Sequence, residues 1–67
     1  MPPDVRAALE ERDLVDEYQE RPAYQRNDYV GWISRAKRPE TRAKRLAQML
    51  DELEAGDRYM KMAWRGR

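Results

Sequence analysis

Apolar side chains recur along this chain at helical spacing, and four stretches carry the pattern. In the first, Val5, Ala8 and Leu9 fall at i, i+3 and i+4, one short stripe that predicts a helix over Pro3–Glu11. Pro3 suits the opening turn, where its missing N–H costs nothing, and Asp4 lies near the positive end of the helix dipole. A second predicted helix covers 14–20, with Leu14, Val15 and Tyr18 on its apolar face and Asp13 in the N-cap position. Pro22 closes it, because the residue before a proline avoids the α region. The third predicted helix starts at 22 or 23 and runs to 37, with Tyr29, Val30, Ile33 and Ala36 on one face and Trp32 on its border. Gly31 interrupts that face, either as a tolerated weak spot or as a point of close backbone approach by another helix or the C-terminal segment.

The fourth stripe is the longest: Ala43, Leu46, Ala47, Met49, Leu50 and Leu53. Pro39 opens it, Glu40 precedes Lys44 at the favourable i, i+4 spacing, and Gly56 supplies a left-handed stop. Asp51, Glu52 and Glu54 are assigned to its outer face. No run alternates apolar and polar residues as a half-buried strand would. The pattern therefore predicts an all-α fold, a small bundle of three to four short helices over residues 1–56. Residues 57–67 carry Tyr59, Met60, Met62 and Trp64 among basic groups without a clear period, and are read as a flexible C-terminal tail, with an arm pinned by Trp64 as the alternative.

Composition removes most catalytic chemistry. The chain has 67 residues, one domain at most, and no cysteine or histidine. The commonest general base, which is also the commonest transition-metal ligand, and any thiolate metal site are therefore missing. Ser34 and Thr41 have no histidine to activate them, and no glycine-rich phosphate loop is present. The i, i+3 acidic pairs Glu17/Glu20 and Asp51/Glu54 read as solvated helix faces. No enzymatic activity, cofactor or metal is expected. The N-terminus shows no signal peptide and no stretch has the apolar length of a membrane span, which points to the cytoplasm.

Charge adds one feature. The net charge of +1 hides four basic against eight acidic residues in 1–28, and ten basic against five acidic in 29–67. The densest positive run flanks the break at Pro39: Arg35, Lys37 and Arg38 before it, Arg42, Lys44 and Arg45 after it. Cations at a helix C-terminus complement its dipole, whereas cations at a helix N-terminus oppose it and need an offsetting anion. That anion is either internal, with Glu17, Glu20 or Asp28 folding over the corner, or external, a phosphate or carboxylate held by Arg42 and Arg45. Trp32 is placed to stack on Arg42 or Lys37. A helix–break–helix with basic flanks also admits nucleic acid, against which the near-zero net charge and acidic front weigh.

The run W-I-x-x-A-K at Trp32 to Lys37, followed by E-T-R-x-x-R at Glu40 to Arg45, resembles the signature of the bacteriocin-protection, YdeI/OmpD-associated family of bacterial proteins. The front agrees, with P-x-x-V-x-x-A-L from Pro2 to Leu9, an aromatic at Tyr18 and Tyr29-Val30 leading into the tryptophan. Where the family has a Leu-Ser-Pro-Ser-like link, this chain has Arg21-Pro22-Ala23-Tyr24. The resemblance implies a small helical domain, which in the family often follows a separate α+β domain. It implies a role in tolerance to antimicrobial peptides or envelope stress, with association to an outer-membrane porin suggested by the family name, and no known reaction.

Together these readings predict a non-catalytic interaction module with an unidentified protein partner, monomeric or weakly self-associating. Its contact residues are Trp32, Lys37, Thr41, Arg42 and Arg45. Nucleic-acid or small-anion binding through Lys37, Arg42 and Arg45 is the alternative. Self-association through Met60, Met62 and Trp64 is a third possibility.

Overall fold

The computed structural model describes residues 1–64 and contains four helices and a small hairpin: α1 Pro3–Glu11, α2 Val15–Glu20, α3 Ala23–Ser34, α4 Pro39–Ala55, β1 Arg58–Tyr59 and β2 Met62–Ala63. The predicted all-α bundle is present, with α1 and α4 spanning the expected residues. Val5 and Leu9 from α1, Leu14 and Tyr18, Tyr29 and Ile33 from α3, and Met49, Leu50 and Leu53 from α4 form one buried cluster. Val5, Tyr29, Ile33 and Met49 are completely sealed from solvent. Each such side chain removes about 1.5–3 kcal/mol worth of apolar surface from water, which is what holds helices too short to persist alone.

Three local expectations change. Asp13 does not cap α2. It adopts φ 56°, the left-handed conformation, and ends α1 instead. The Leu14 N–H donates to the Leu9 carbonyl at 2.8 Å and the Asp13 N–H to the Glu10 carbonyl at 3.2 Å, a Schellman closure. Leu9 and Leu14, the two residues that close the motif, are both in the core. The third helix stops at Ser34, three residues short of Lys37. Pro39 holds Arg38 extended at φ −104°, ψ 143°, and the Ala36 N–H turns back to the Ile33 carbonyl. Finally, Glu40 and Lys44 are both exposed and form no ion pair among the described residues.

The largest change is at the C-terminus, where residues 57–64 are folded and held by Trp64 rather than a flexible tail; residues 65–67 of that expected tail lie outside the described residues. Arg58 pairs with Ala63 and Tyr59 with Met62, antiparallel, around a two-residue turn at Met60 and Lys61. Both turn residues have positive φ, 50° and 65°, the mirror-image turn that suits a hairpin's twist. Without glycine or asparagine there, each residue carries about 1–2 kcal/mol of backbone strain. Gly56, at φ 83°, ends α4 as expected and turns the chain back onto it. The hairpin packs against α4, with Tyr59 and Met60 lying on the core.

Candidate functional site

The corner between α3 and α4 holds the basic run, and its six cations divide into two bonded inward, three on the exposed rim, and Arg35, which folds against Gly31. Arg42 donates from Nε and Nη2 to the two carboxylate oxygens of Asp4, at 2.7 and 2.9 Å, and from Nη1 to the Ile33 carbonyl at 3.3 Å. Arg45 donates from Nη1 to the Trp32 carbonyl at 2.6 Å, and its guanidinium lies over the Trp32 ring at 5.4 Å from the centroid. Both arginines therefore reach back across the turn to the last carbonyls of α3. That explains cations at the start of α4: they serve the negative end of the preceding helix rather than opposing their own. The fork on Asp4 holds that carboxyl below its ordinary range, with the Arg42 hydrogen bonds as the first cause. The internal anion is thus Asp4, not Glu17, Glu20 or Asp28, and the stacking partner of Trp32 is Arg45, not Arg42 or Lys37.

Lys37, Arg38 and Lys44 are exposed, with no carboxylate partner among the described residues. Thr41 is half-buried in the first turn of α4, and Trp32 is half-buried against the core. Arg35 folds back so that its guanidinium lies 3.3 Å from where a Cβ on Gly31 would stand. Gly31 is therefore approached by a side chain of its own helix, not by another helix or by the C-terminal segment. The structure brings Trp32, Arg42 and Arg45 together in one internally bonded group and leaves Lys37 on the exposed rim around them.

A second cluster lies at the opposite end of the α3–α4 pair, and the sequence reading missed it. Glu52, expected on the outer face of α4, is buried at 6% exposure. Its carboxylate accepts hydrogen bonds from the Met60 N–H at 2.8 Å, the Lys61 N–H at 2.7 Å, the Tyr29 hydroxyl and Gln48 Nε2 at 3.2 Å. Arg21, also buried, donates from Nη1 to Gln25 Oε1 at 3.0 Å and to the Arg58 carbonyl at 2.7 Å. Its Nη2 donates to the Glu52 main-chain carbonyl at 3.0 Å, and the Trp64 ring covers it at 4.3 Å. No ion pair joins the Arg21 and Glu52 side chains. Burial, and then the Glu52 hydrogen bond, push the Tyr29 phenol far above its ordinary value, so it stays a donor. Tyr59 stands edge-on to Tyr29 and Tyr24, with centroids 5.5 and 5.9 Å away, and its hydroxyl donates to Asp28. Burial first, and Asp28 second, push the Tyr59 phenol up to about 12.

A positional signal for these groups was present. Glu52 falls three residues after Met49 and one before Leu53, on the apolar stripe, and Gln25 lies four before Tyr29. Trp64 and Met60 are engaged inside the molecule, so of the three residues suggested for self-association only Met62 is well exposed, at 59%. Among the described residues no group of acidic side chains is arranged to hold a metal ion, and no helix is long and apolar enough to cross a membrane.

A family model described as bacteriocin-protection, YdeI or OmpD-associated matches residues 1–56. No curated protein and no solved structure matches the chain. The match includes the whole helical bundle and the α3–α4 corner, and stops at the glycine that precedes the hairpin.

Proposed function

The chain belongs to the bacteriocin-protection, YdeI or OmpD-associated family, and from that premise we propose that it acts by binding a protein partner rather than by catalysis, in the bacterial cytoplasm, in support of tolerance to bacteriocins. The family description names an association with OmpD and does not identify a partner in that compartment. The observation that carries the reading is the division of the corner cations. Arg42 and Arg45 are bonded inward, to Asp4 and to the last carbonyls of α3, while Lys37, Arg38 and Lys44 stand exposed without acidic partners among the described residues. Unpaired cations grouped on one rim suit an acidic protein surface, because opposite charge steers the encounter and fixes its register.

The test separates the rim from the inward-bonded arginines. A bacterium lacking the protein is complemented with the wild-type chain or with Lys37→Glu, Arg38→Glu, Lys44→Glu, and survival is scored against a bacteriocin. The reading expects the wild type to restore survival and the triple variant, folded by circular dichroism, to fail. Full restoration by the folded triple variant would remove the corner from the function. The same exposed cations also suit phosphate, which keeps nucleic acid or a small anion as the second reading. In that case chemical shifts at Lys37, Arg38 and Lys44 move on addition of DNA or RNA at low salt and return steeply as salt rises.

A further inference from the structure

The hairpin is held in a way that resembles a bound peptide more than a piece of core. Most of what the bundle grips is main chain: the Met60 and Lys61 N–H groups on the Glu52 carboxylate and the Arg58 carbonyl on Arg21. Of its side chains, Tyr59 stands against Tyr29 and Asp28, Trp64 lies over the Arg21 guanidinium, and Met60 packs on the core. The receiving groups, Arg21, Gln25, Tyr29 and Glu52, all lie within the segment the family model covers, and the hairpin lies outside it. Arg21 and Glu52 are both buried, do not pair with each other, and spend most of their hydrogen bonds on main-chain groups of the hairpin and of α4. Such groups are well suited to hold an extended peptide and its turn.

We infer that the cleft formed by Arg21, Gln25, Asp28, Tyr29 and Glu52 is a peptide-recognition site, and that residues 58–64 are its built-in competitor. Its external ligand is a β-turn of a partner protein carrying a tyrosine and a tryptophan at the spacing of Tyr59 and Trp64. The hairpin is suited to give way. Each of its strands has two residues, and its turn places two non-glycine residues at positive φ. Opening it uncovers a carboxylate aimed at two adjacent N–H groups, a guanidinium fork for a carbonyl, and a tyrosine face for an aromatic ring. This site lies at the other end of α3 and α4 from the basic corner, so the two can be tested separately.

The experiment uses the full chain, labelled with 15N, and a synthetic peptide of sequence Asp-Arg-Tyr-Met-Lys-Met-Ala-Trp, residues 57–64. In the Tyr59→Ala, Trp64→Ala chain the hairpin loses both anchors while the cleft is untouched. The peptide should then bind saturably, shifting the Arg21, Gln25 and Glu52 signals and leaving those of Lys37 and Lys44 in place. The wild-type chain should bind it roughly tenfold or more weakly, because the site is free only while the hairpin is open. A peptide with alanine for its tyrosine and tryptophan should not bind. Equal binding of that control, or no binding to the folded double variant, overturns the proposal. If the double variant does not fold, hydrogen exchange in the wild type decides. Met60 and Lys61 amides should exchange roughly tenfold or more faster than those of Met49 and Leu53. Equal rates would make the hairpin part of the global fold and overturn the proposal. A dimer of the wild-type chain that forms with concentration and exchanges its hairpins would overturn it too, by assigning the cleft to a second copy.

Discussion

The described residues contain two arginine–tryptophan pairs, Arg45 over Trp32 at 5.4 Å and Arg21 over Trp64 at 4.3 Å, at opposite ends of the same two helices. At the corner, the guanidiniums stay partly in water, take a carboxylate or a helix-end carbonyl, and join elements within the bundle. At the hairpin end, the guanidinium is buried, has neutral acceptors among the described residues, and joins the bundle to the segment that follows it. Solvent decides what each pair is worth. Exposed charge contacts are screened and individually weak, whereas a buried group that loses its partner meets no water to replace it. The corner can therefore vary its surface charge at low cost, while the hairpin end tolerates little change.

The largest effect should come from the buried side. Glu52→Ala leaves the Met60 and Lys61 N–H groups and the Tyr29 hydroxyl without their acceptor, and should cost about 2–3 kcal/mol. Thermal melting should show this as a midpoint lower by roughly 10–20 °C for a domain this small. A drop no larger than that of a surface carboxylate such as Glu11 would erase the contrast between the two ends. Next, Arg21→Lys keeps the charge but loses the fork that meets three carbonyl oxygens, and should cost about 1–2 kcal/mol. Urea titration reads it, and an unchanged midpoint would mean that charge alone holds the site.

Changes of pH should loosen the two ends in opposite directions. Tyr59 has a folded value of about 12, above its ordinary 10.0. Its contribution to stability is fully present below pH 10.0 and disappears as the pH rises toward about 12. Alkali should therefore release the hairpin first, seen as growing Trp64 fluorescence change, and Tyr59→Phe should remove the tyrosine's share of it. Asp4 has the reverse sign. Its folded value is depressed below the ordinary 3.8, so its contribution is present above that value and is lost as the pH falls through the folded one. Acid should loosen the α1–α4 tie, and Arg42→Gln should abolish that acid dependence. This is the smallest expected effect, because the Asp4 side chain is 47% exposed and salt screens it. A melt at pH 3 and low salt checks it against one at pH 6.

Helix positions were legible because the stripes of α1 and α4 keep their period and proline and glycine mark their ends. The end of α3 was not, because Ala36 continues the apolar spacing although Pro39 has already drawn the backbone out of the helix. Asp13 was misread for a related reason: aspartate suits both an N-cap and a left-handed C-terminal position, and the bonds from Asp13 and Leu14 back to α1 decide between them. The corner was legible as a cluster of charge, but not the direction in which each arginine reaches. Asp4, which Arg42 grips, is 38 residues away. Glu52 hid among three similar carboxylates of α4, and its partners Met60 and Lys61 lie in a hairpin whose two-residue strands are too short to alternate. Contacts between distant segments leave a trace in sequence only when the residue type at one end is unexpected, and a carboxylate on an apolar stripe is such a residue.

The Arg21 side chain also sets a schedule for the newborn chain. Its acceptors stand at positions 25, 52 and 58, so the last of them is made 37 residues after the arginine itself. At ordinary rates of translation that is a wait of roughly two to seven seconds. Until α4 is made the first three helices lack the apolar face they pack on, and until residue 58 follows it the guanidinium keeps water in place of its last acceptor. Synonymous slowing of translation between codons 52 and 58 would lengthen the exposed period without altering a single residue of the finished protein.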